Sequence, residues 1–154
     1  MAEYAALIAE ELGWDIKEIR NLRNAAHLYD IGRIGIPDSI LNKPTRLTEE
    51  EYAVIKEHTI IGAEILKNIT LIDHVKEVAR SHHERYDGKG YPDGLKGEEI
   101  PLYARIIAIA DSYDAMKSRK IYRNPLTDEI IYNEILYIIF DYSHKHYTFK
   151  QFEV

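Results

Sequence analysis

Two carboxylates and three histidines in this chain interrupt apolar helical faces, and His and Asp are metal-ligating side chains when they converge. Asp30 stands four residues after Ala26, at the end of a stripe formed by Ile16, Ile19, Leu22 and Ala26, just before Gly32. A helix C-terminus disfavours negative charge, so Asp30 is placed where an idle carboxylate costs stability. His58 lies in a segment whose other inward positions are Ile55 and Ile61. His82 continues the stripe Ile72, Val75, Val78, Ala79, and His83 follows about 100° further round the same helix. Asp111 ends the apolar run Ile106 to Ala110 and shares a face with Ile107 and Ala104. Each residue alone has an ordinary reading: a carboxylate paired with Arg, Lys or loop amides, or a histidine at a core edge or frayed helix end. Together they point to a metal centre inside a helical bundle, where facing helices build such sites. His and Asp without Cys suit Fe, Mn, Ni or Zn, and mixed N/O ligation favours an octahedral ion.

Positive charge lies near these groups. Arg33 is three residues past Asp30, Lys89 and Lys96 sit in a glycine-rich loop, and Arg119, Lys120 and Arg123 follow Asp111. Beside a metal, such side chains are natural phosphate ligands, although most surface Lys and Arg are simply solvated. His27 is read as exposed, and His74, two helical turns from His82, is too distant to share its metal.

The elements that must position these residues are helical nearly throughout. Tyr4, Leu7, Ile8 and Leu12 recur at three- and four-residue steps up to Gly13. Asp15 with Glu18, and Thr48 with Glu51, are capping-box signatures that start the next two long segments. The second of these is expected to bend near Thr59. A helix is expected over Leu71 to Arg85, another over Leu102 to Lys117, and a last one from Asp128 to about Phe140. Gly88, Gly90, Gly94, Gly97 and Pro92 make 87–97 a structured loop. No strand alternation and no repeat stands out, so the expectation is one all-α domain of about six to seven helices over 1–154, with a divergent tail at 142–154.

Composition narrows the function classes. The 154 residues suit one domain. With 20 Lys+Arg against 26 Asp+Glu, the net charge of −6 argues against nucleic-acid binding by bulk charge. Zero Cys excludes disulfides, thiolate zinc sites and a Cys nucleophile. No run approaches the ~18 apolar residues of a membrane span, and the Met-Ala-Glu-Tyr start lacks the order of a signal peptide. The expected location is the cytoplasm.

Three segments carry a family resemblance. Tyr29-Asp30-Ile31-Gly32-Arg33-Ile34-Gly35-Ile36-Pro37-Asp38 resembles the "HDIGKIGIPD" segment of the HD-GYP branch of the HD-domain phosphohydrolases. His82-His83-Glu84-Arg85-Tyr86-Asp87-Gly88-Lys89-Gly90-Tyr91-Pro92-Asp93-Gly94 resembles its "HHERxDGxGYPxG" segment. Ile109 to Met116 is similar to its "ADxYDAL" helix, and Tyr122-Arg123 to its "PYR" segment.

The resemblance implies an all-helical fold, a two- or three-metal centre and hydrolysis of the second messenger cyclic di-GMP to linear pGpG or GMP. It makes Asp30 the metal-bridging Asp of the "HD" pair and His58, His82 and His83 the histidines of one metal position. Asp111 becomes the later carboxylate of the other. Arg33 stands where the family has a Lys near the scissile phosphate, and Lys120 and Arg123 match a phosphate-contacting pair. Tyr91 could offer an aromatic face to the ligand, and the Gly90-Tyr91-Pro92 loop is associated with docking of diguanylate-cyclase domains.

The chain departs from that pattern at Tyr29, which replaces the "HD" His, and the family's upstream ligands precede the phrase in which this chain starts. One divalent ion per chain is therefore expected, with two still open, and Tyr29 is expected to fill the vacated position as packing with its hydroxyl bonded to Asp30, Asp111 or water. The expected function is a weakened phosphodiesterase of the cyclic di-GMP type, with Asp30 and Arg33 as its catalytic residues. The alternative is an inactive signalling module that binds cyclic di-GMP or docks a protein partner. A homodimer is compatible with either.

Overall fold

The apolar steps read from the sequence become helices that bury small side chains against one another. The computed structural model describes residues 1–118 and 125–140. Among them are seven helices of seven residues or more and a four-residue turn of helix: α1 (Ala2–Glu11), α2 (Ile16–Leu28), α3 (Asp38–Leu41), α4 (Glu49–Lys56), α5 (His58–Leu66), α6 (Val75–Ser81), α7 (Leu102–Lys117) and α8 (Asp128–Phe140). Two short 3-10 turns, Ile31–Gly35 and Gly97–Glu99, lie between them, and no described residue is in a strand. The fold is the all-α arrangement expected of an HD domain. Lys120, Arg123 and the tail at 142–154 lie outside the described residues.

Both capping boxes form. Asp15 accepts from the amides of Lys17 and Glu18 to start α2, and Thr48 accepts from that of Glu51 to start α4. The core joins α1, α2, α6 and α7 through Ala5, Ala9, Leu22, Ala25, Val78, Ala79, Ile107 and Ala110. Alanines on all four helices let the axes approach closely, which is what brings side chains from separate helices within bonding range.

The expected bend near Thr59 falls at Glu57, between α4 and α5. The His58 ring bonds back to the Ile55 carbonyl at 2.7 Å, and the Thr59 hydroxyl donates to the Lys56 carbonyl at 2.9 Å. These side-chain donors engage the backbone that an uninterrupted helix would use.

The helix expected over Leu71 to Arg85 is shorter at both ends. His74 adopts a left-handed conformation with φ of 61°, and its ring packs on Tyr103, so α6 starts only at Val75. At the other end α6 stops at Ser81, and the next residues turn into the glycine loop. Tertiary contacts override the periodicity at each boundary.

Candidate metal centre

The 3-10 turn Ile31–Gly35 presses directly on α5. A Cβ on Gly32 would lie 1.9 Å from the His58 carbonyl oxygen and 2.5 Å from the Gly62 nitrogen, so only glycine permits this approach. It carries Asp30, just ahead of the turn, to the first residue of α5, His58. Helix α6 also packs on α5, with Ala79 and Gly32 both against Gly62, and its C-cap is His82. The result is one group of four side chains, Asp30, His58, His82 and His83, each offering a ligand atom within 4.8 Å of the others.

The hydrogen-bonding of the rings tests whether this group suits a cation. His58 Nδ1 faces the Ile55 carbonyl at 2.7 Å. His82 Nδ1 faces the carbonyls of Val78 and Ala79 at 3.1 and 3.0 Å. Carbonyl oxygens only accept, so both Nδ1 atoms carry the proton, and both Nε2 atoms of the neutral rings present lone pairs. Those Nε2 atoms are 3.2 Å apart. Two lone pairs cannot bond each other. Asp30 Oδ1 lies 3.3 Å from His58 Nε2 and 3.8 Å from His82 Nε2, and it is buried without a hydrogen-bond partner. Three acceptors aimed at one place suit a cation, and the backbone carbonyls supply the outer hydrogen bonds that fix ligand tautomers in metal sites.

Burial keeps the rings neutral. Desolvation lowers the His58 pKa, brings His82 down to about 4 and puts His83 well below its usual value. Near neutral pH a metal would displace no proton from these nitrogens.

Asp30 is shared. Its Oδ2 stands 2.8 Å from Arg33 Nε, an ion pair without hydrogen-bond alignment. Asp111 is half-buried on α7 but does not join the group of four. Its Oδ1 instead accepts from the Tyr29 hydroxyl at 2.7 Å, and the Tyr29 ring meets His82 edge to face at 4.9 Å. Burial raises the Tyr29 pKa and also that of Asp111. His27 is exposed, as expected.

The glycine loop closes over the site. A Cβ on Gly90 would fall 2.3 Å from the Arg85 nitrogen and 2.6 Å from the His83 carbonyl oxygen, so Gly90 lets the loop lie flat on the His82–Arg85 turn. The Tyr91 ring then stacks on His83 at 4.9 Å and 26°. Arg33, His58, His83 and Tyr91 line one end of a cleft that continues between Ile36, Ile40, Leu41, Leu47, Tyr52 and Ile55.

Sequence reasoning quoted Glu84 only as part of a motif and assigned it nothing. Glu84 is only 5% exposed, and its carboxylate accepts from the amides of Asp93, Gly94 and Leu95 at 2.7, 3.1 and 3.0 Å. Burial raises its pKa while the three amides pull it down. The signal was available in the question of where a glycine-rich loop's amides find acceptors.

The chain matches the HD domain family over residues 1–146. It is 50% identical over 130 residues to a cyclic di-GMP phosphodiesterase of Thermotoga maritima, covering 83% of this chain and 35% of that protein. It is also 50% identical over 129 residues to the cyclic di-GMP phosphodiesterase response regulator RpfG of Xanthomonas campestris, covering 82% of this chain and 34% of that one. A 3'3'-cGAMP-specific phosphodiesterase 2 of Vibrio cholerae is 41% identical over 138 residues, 88% of this chain and 26% of its own length. The chain thus spans about a third or less of these relatives. No helix among the described residues is long and apolar enough to cross a membrane.

Proposed function

Because the chain belongs to the HD domain family, and within it to the HD-GYP type, we propose that it is a metal-dependent phosphohydrolase acting on cyclic di-GMP, slowed by Tyr29. One observation carries this reading: the convergence of Asp30, His58, His82 and His83, with lone pairs and an orphaned carboxylate oxygen aimed at one place. A divalent ion bound there, Fe or Mn in this reading with Ni or Zn as substitutes, supplies a Lewis acid for a phosphoryl oxygen and lowers the pKa of a water.

The chain's own residues do the rest. His58 and His82 present neutral Nε2 atoms held by backbone carbonyls. Asp30 would offer Oδ1 to the ion and pairs with Arg33 through Oδ2. Arg33 lines the cleft, where its remaining N–H groups meet phosphate oxygens. Lys120 and Arg123, matched to the family's basic pair, add phosphate contacts in this proposal. A cyclic dinucleotide as substrate is supported by the names of the relatives, which act on cyclic di-GMP or 3'3'-cGAMP. Residues 1–154 act as one HD-GYP domain of the cytoplasm in this reading.

A second reading is favoured by the bond between Tyr29 and Asp111, which ties up the carboxylate of the second metal position. In it the domain hydrolyses nothing. It binds cyclic di-GMP and docks a partner such as a diguanylate-cyclase domain through Gly90, Tyr91 and Pro92.

Chromatography of cyclic di-GMP incubated with Mn²⁺- or Fe²⁺-loaded protein separates the two. The phosphohydrolase reading expects pGpG or GMP to accumulate, more slowly than with a Tyr29→His variant. Binding without turnover in either metal would leave the signalling module, and neither binding nor turnover would overturn both.

A further inference from the structure

The cleft beside the metal centre has two chemically different halves. Arg33, His58 and His83 form the charged and ligating end. Ile40, Leu41, Leu47 and Ile55, with the rings of Tyr52 and Tyr91, form the other. Apolar walls cannot solvate a phosphate, but they suit the flat faces of a heterocyclic base. The halves are continuous, so a nucleotide whose phosphate lies at the metal end has its base in the apolar end.

Lys56 lies beside the two tyrosine rings of that apolar end. Its Nζ is 5.2 Å from the centroid of Tyr52 and 5.8 Å from that of Tyr91, and the two rings meet edge to face at 6.5 Å. Tyr52 and Lys56 are four residues apart on α4, so helical geometry places them on one face. The two rings hold the ammonium by cation–π attraction. An ammonium has donors only. Guanine offers two adjacent acceptors, O6 and N7, on one edge, whereas adenine sets an N6 donor beside N7.

We propose that the apolar half of this cleft is the subsite for the base next to the scissile phosphate, and that Lys56 reads that base, selecting guanine over adenine. The proposal rests on the phosphohydrolase reading above. It makes Lys56 a specificity-determining residue at the end of α4, two positions before the metal-site histidine that opens α5.

Calorimetry on Mn²⁺-loaded protein with inorganic phosphate, ribose 5-phosphate, AMP and GMP tests it. GMP should bind about tenfold more tightly than AMP, the scale of one base-edge discrimination. Lys56→Met should bring that ratio to near one and leave ribose 5-phosphate unchanged. Ile40→Trp, which fills the apolar half, should weaken both nucleotides and spare ribose 5-phosphate. Equal wild-type affinity for GMP and AMP would overturn base reading alone. So would an equal loss of GMP and ribose 5-phosphate in Lys56→Met, which would make Lys56 a phosphate contact. Failure of inorganic phosphate and every other ligand to bind would overturn the phosphohydrolase reading and this proposal with it.

Discussion

The Tyr29 hydroxyl donates a 2.7 Å hydrogen bond to Asp111 Oδ1, linking the end of α2 to the middle of α7. At the position of the family's "HD" histidine, the chain therefore holds a donor where a metal ligand would offer a lone pair. A phenol with its pKa raised by burial stays protonated near neutral pH, so it remains a donor.

Restoring the lone pair should restore metal capacity. Tyr29→His is expected to release Asp111, raise metal content above that of wild type and speed hydrolysis of cyclic di-GMP. Elemental analysis per chain, with a parallel turnover assay, checks it. Unchanged metal content and rate would mean that Tyr29 is not what limits the second position.

Tyr29→Phe should show the cost of leaving Asp111 without its donor. The expected loss is about 1–3 kcal/mol, the range for a buried group left unsatisfied. Burial raises the Asp111 pKa and the Tyr29 bond lowers it, so removing the bond raises it further. A carboxyl with a raised folded pKa contributes stability below its ordinary value of 3.8, and that contribution is lost as pH rises through the folded pKa. Metal-free Tyr29→Phe should therefore lose more stability than wild type between about pH 4 and neutrality. Urea unfolding across that range reads the difference.

His82→Ala should separate the metal's contribution from the ring's. In wild type a saturating ion at one hundred times its dissociation constant adds about 2.7 kcal/mol, and chelation should lower the melting temperature accordingly. In the variant that metal-dependent shift should vanish. The metal-free variant should also melt lower than metal-free wild type, because the His82 ring bonds the Val78 and Ala79 carbonyls at the end of α6. Stoichiometric metal in His82→Ala would sink the ligand assignment.

Glu84→Gln should loosen the glycine loop without touching a ligand. An amide NH2 in place of one carboxylate oxygen faces a backbone donor, so at least one of the three amide bonds is lost. A loss of roughly 2 kcal/mol is expected. Hydrogen exchange should rise first at Asp93, Gly94 and Leu95, with Tyr91 loosened from His83. Exchange that stays as slow as in wild type would show that the loop is held elsewhere.

Arg33→Ala should weaken cyclic di-GMP binding by about 1.5–3 kcal/mol, the range for hydrogen bonds to charged groups. It should also flatten the salt dependence, since the side chain is partly exposed and its phosphate contact is screened. Titrations at two salt concentrations check both. Identical affinity in wild type and variant would remove Arg33 from the substrate contacts.

What the sequence determined by itself was local or periodic. The stripes of α1, α2 and α7, the capping boxes at Asp15 and Thr48, and the candidacy of Asp30, His58, His82, His83 and Asp111 all follow from residue types and spacing, because helix periodicity and capping are decided within a few residues. The limits of α6 were not legible, because they depend on His74 packing on Tyr103 and on the turn into the loop. The separation of Asp111 from the other four candidates came from the family resemblance and not from spacing. Spacing placed all five at polar breaks in apolar faces, but which of them share one cation depends on how closely the helices pack. The glycine contact between the Asp30 turn and α5, the tautomers set by carbonyls one turn back, and the Tyr29 bond across 82 residues exist only after packing. The contacts of Glu84 with the loop amides and of Lys56 with Tyr91 have the same origin: each depends on partners that the loop brings to it, and no pattern along a single helix encodes such a meeting.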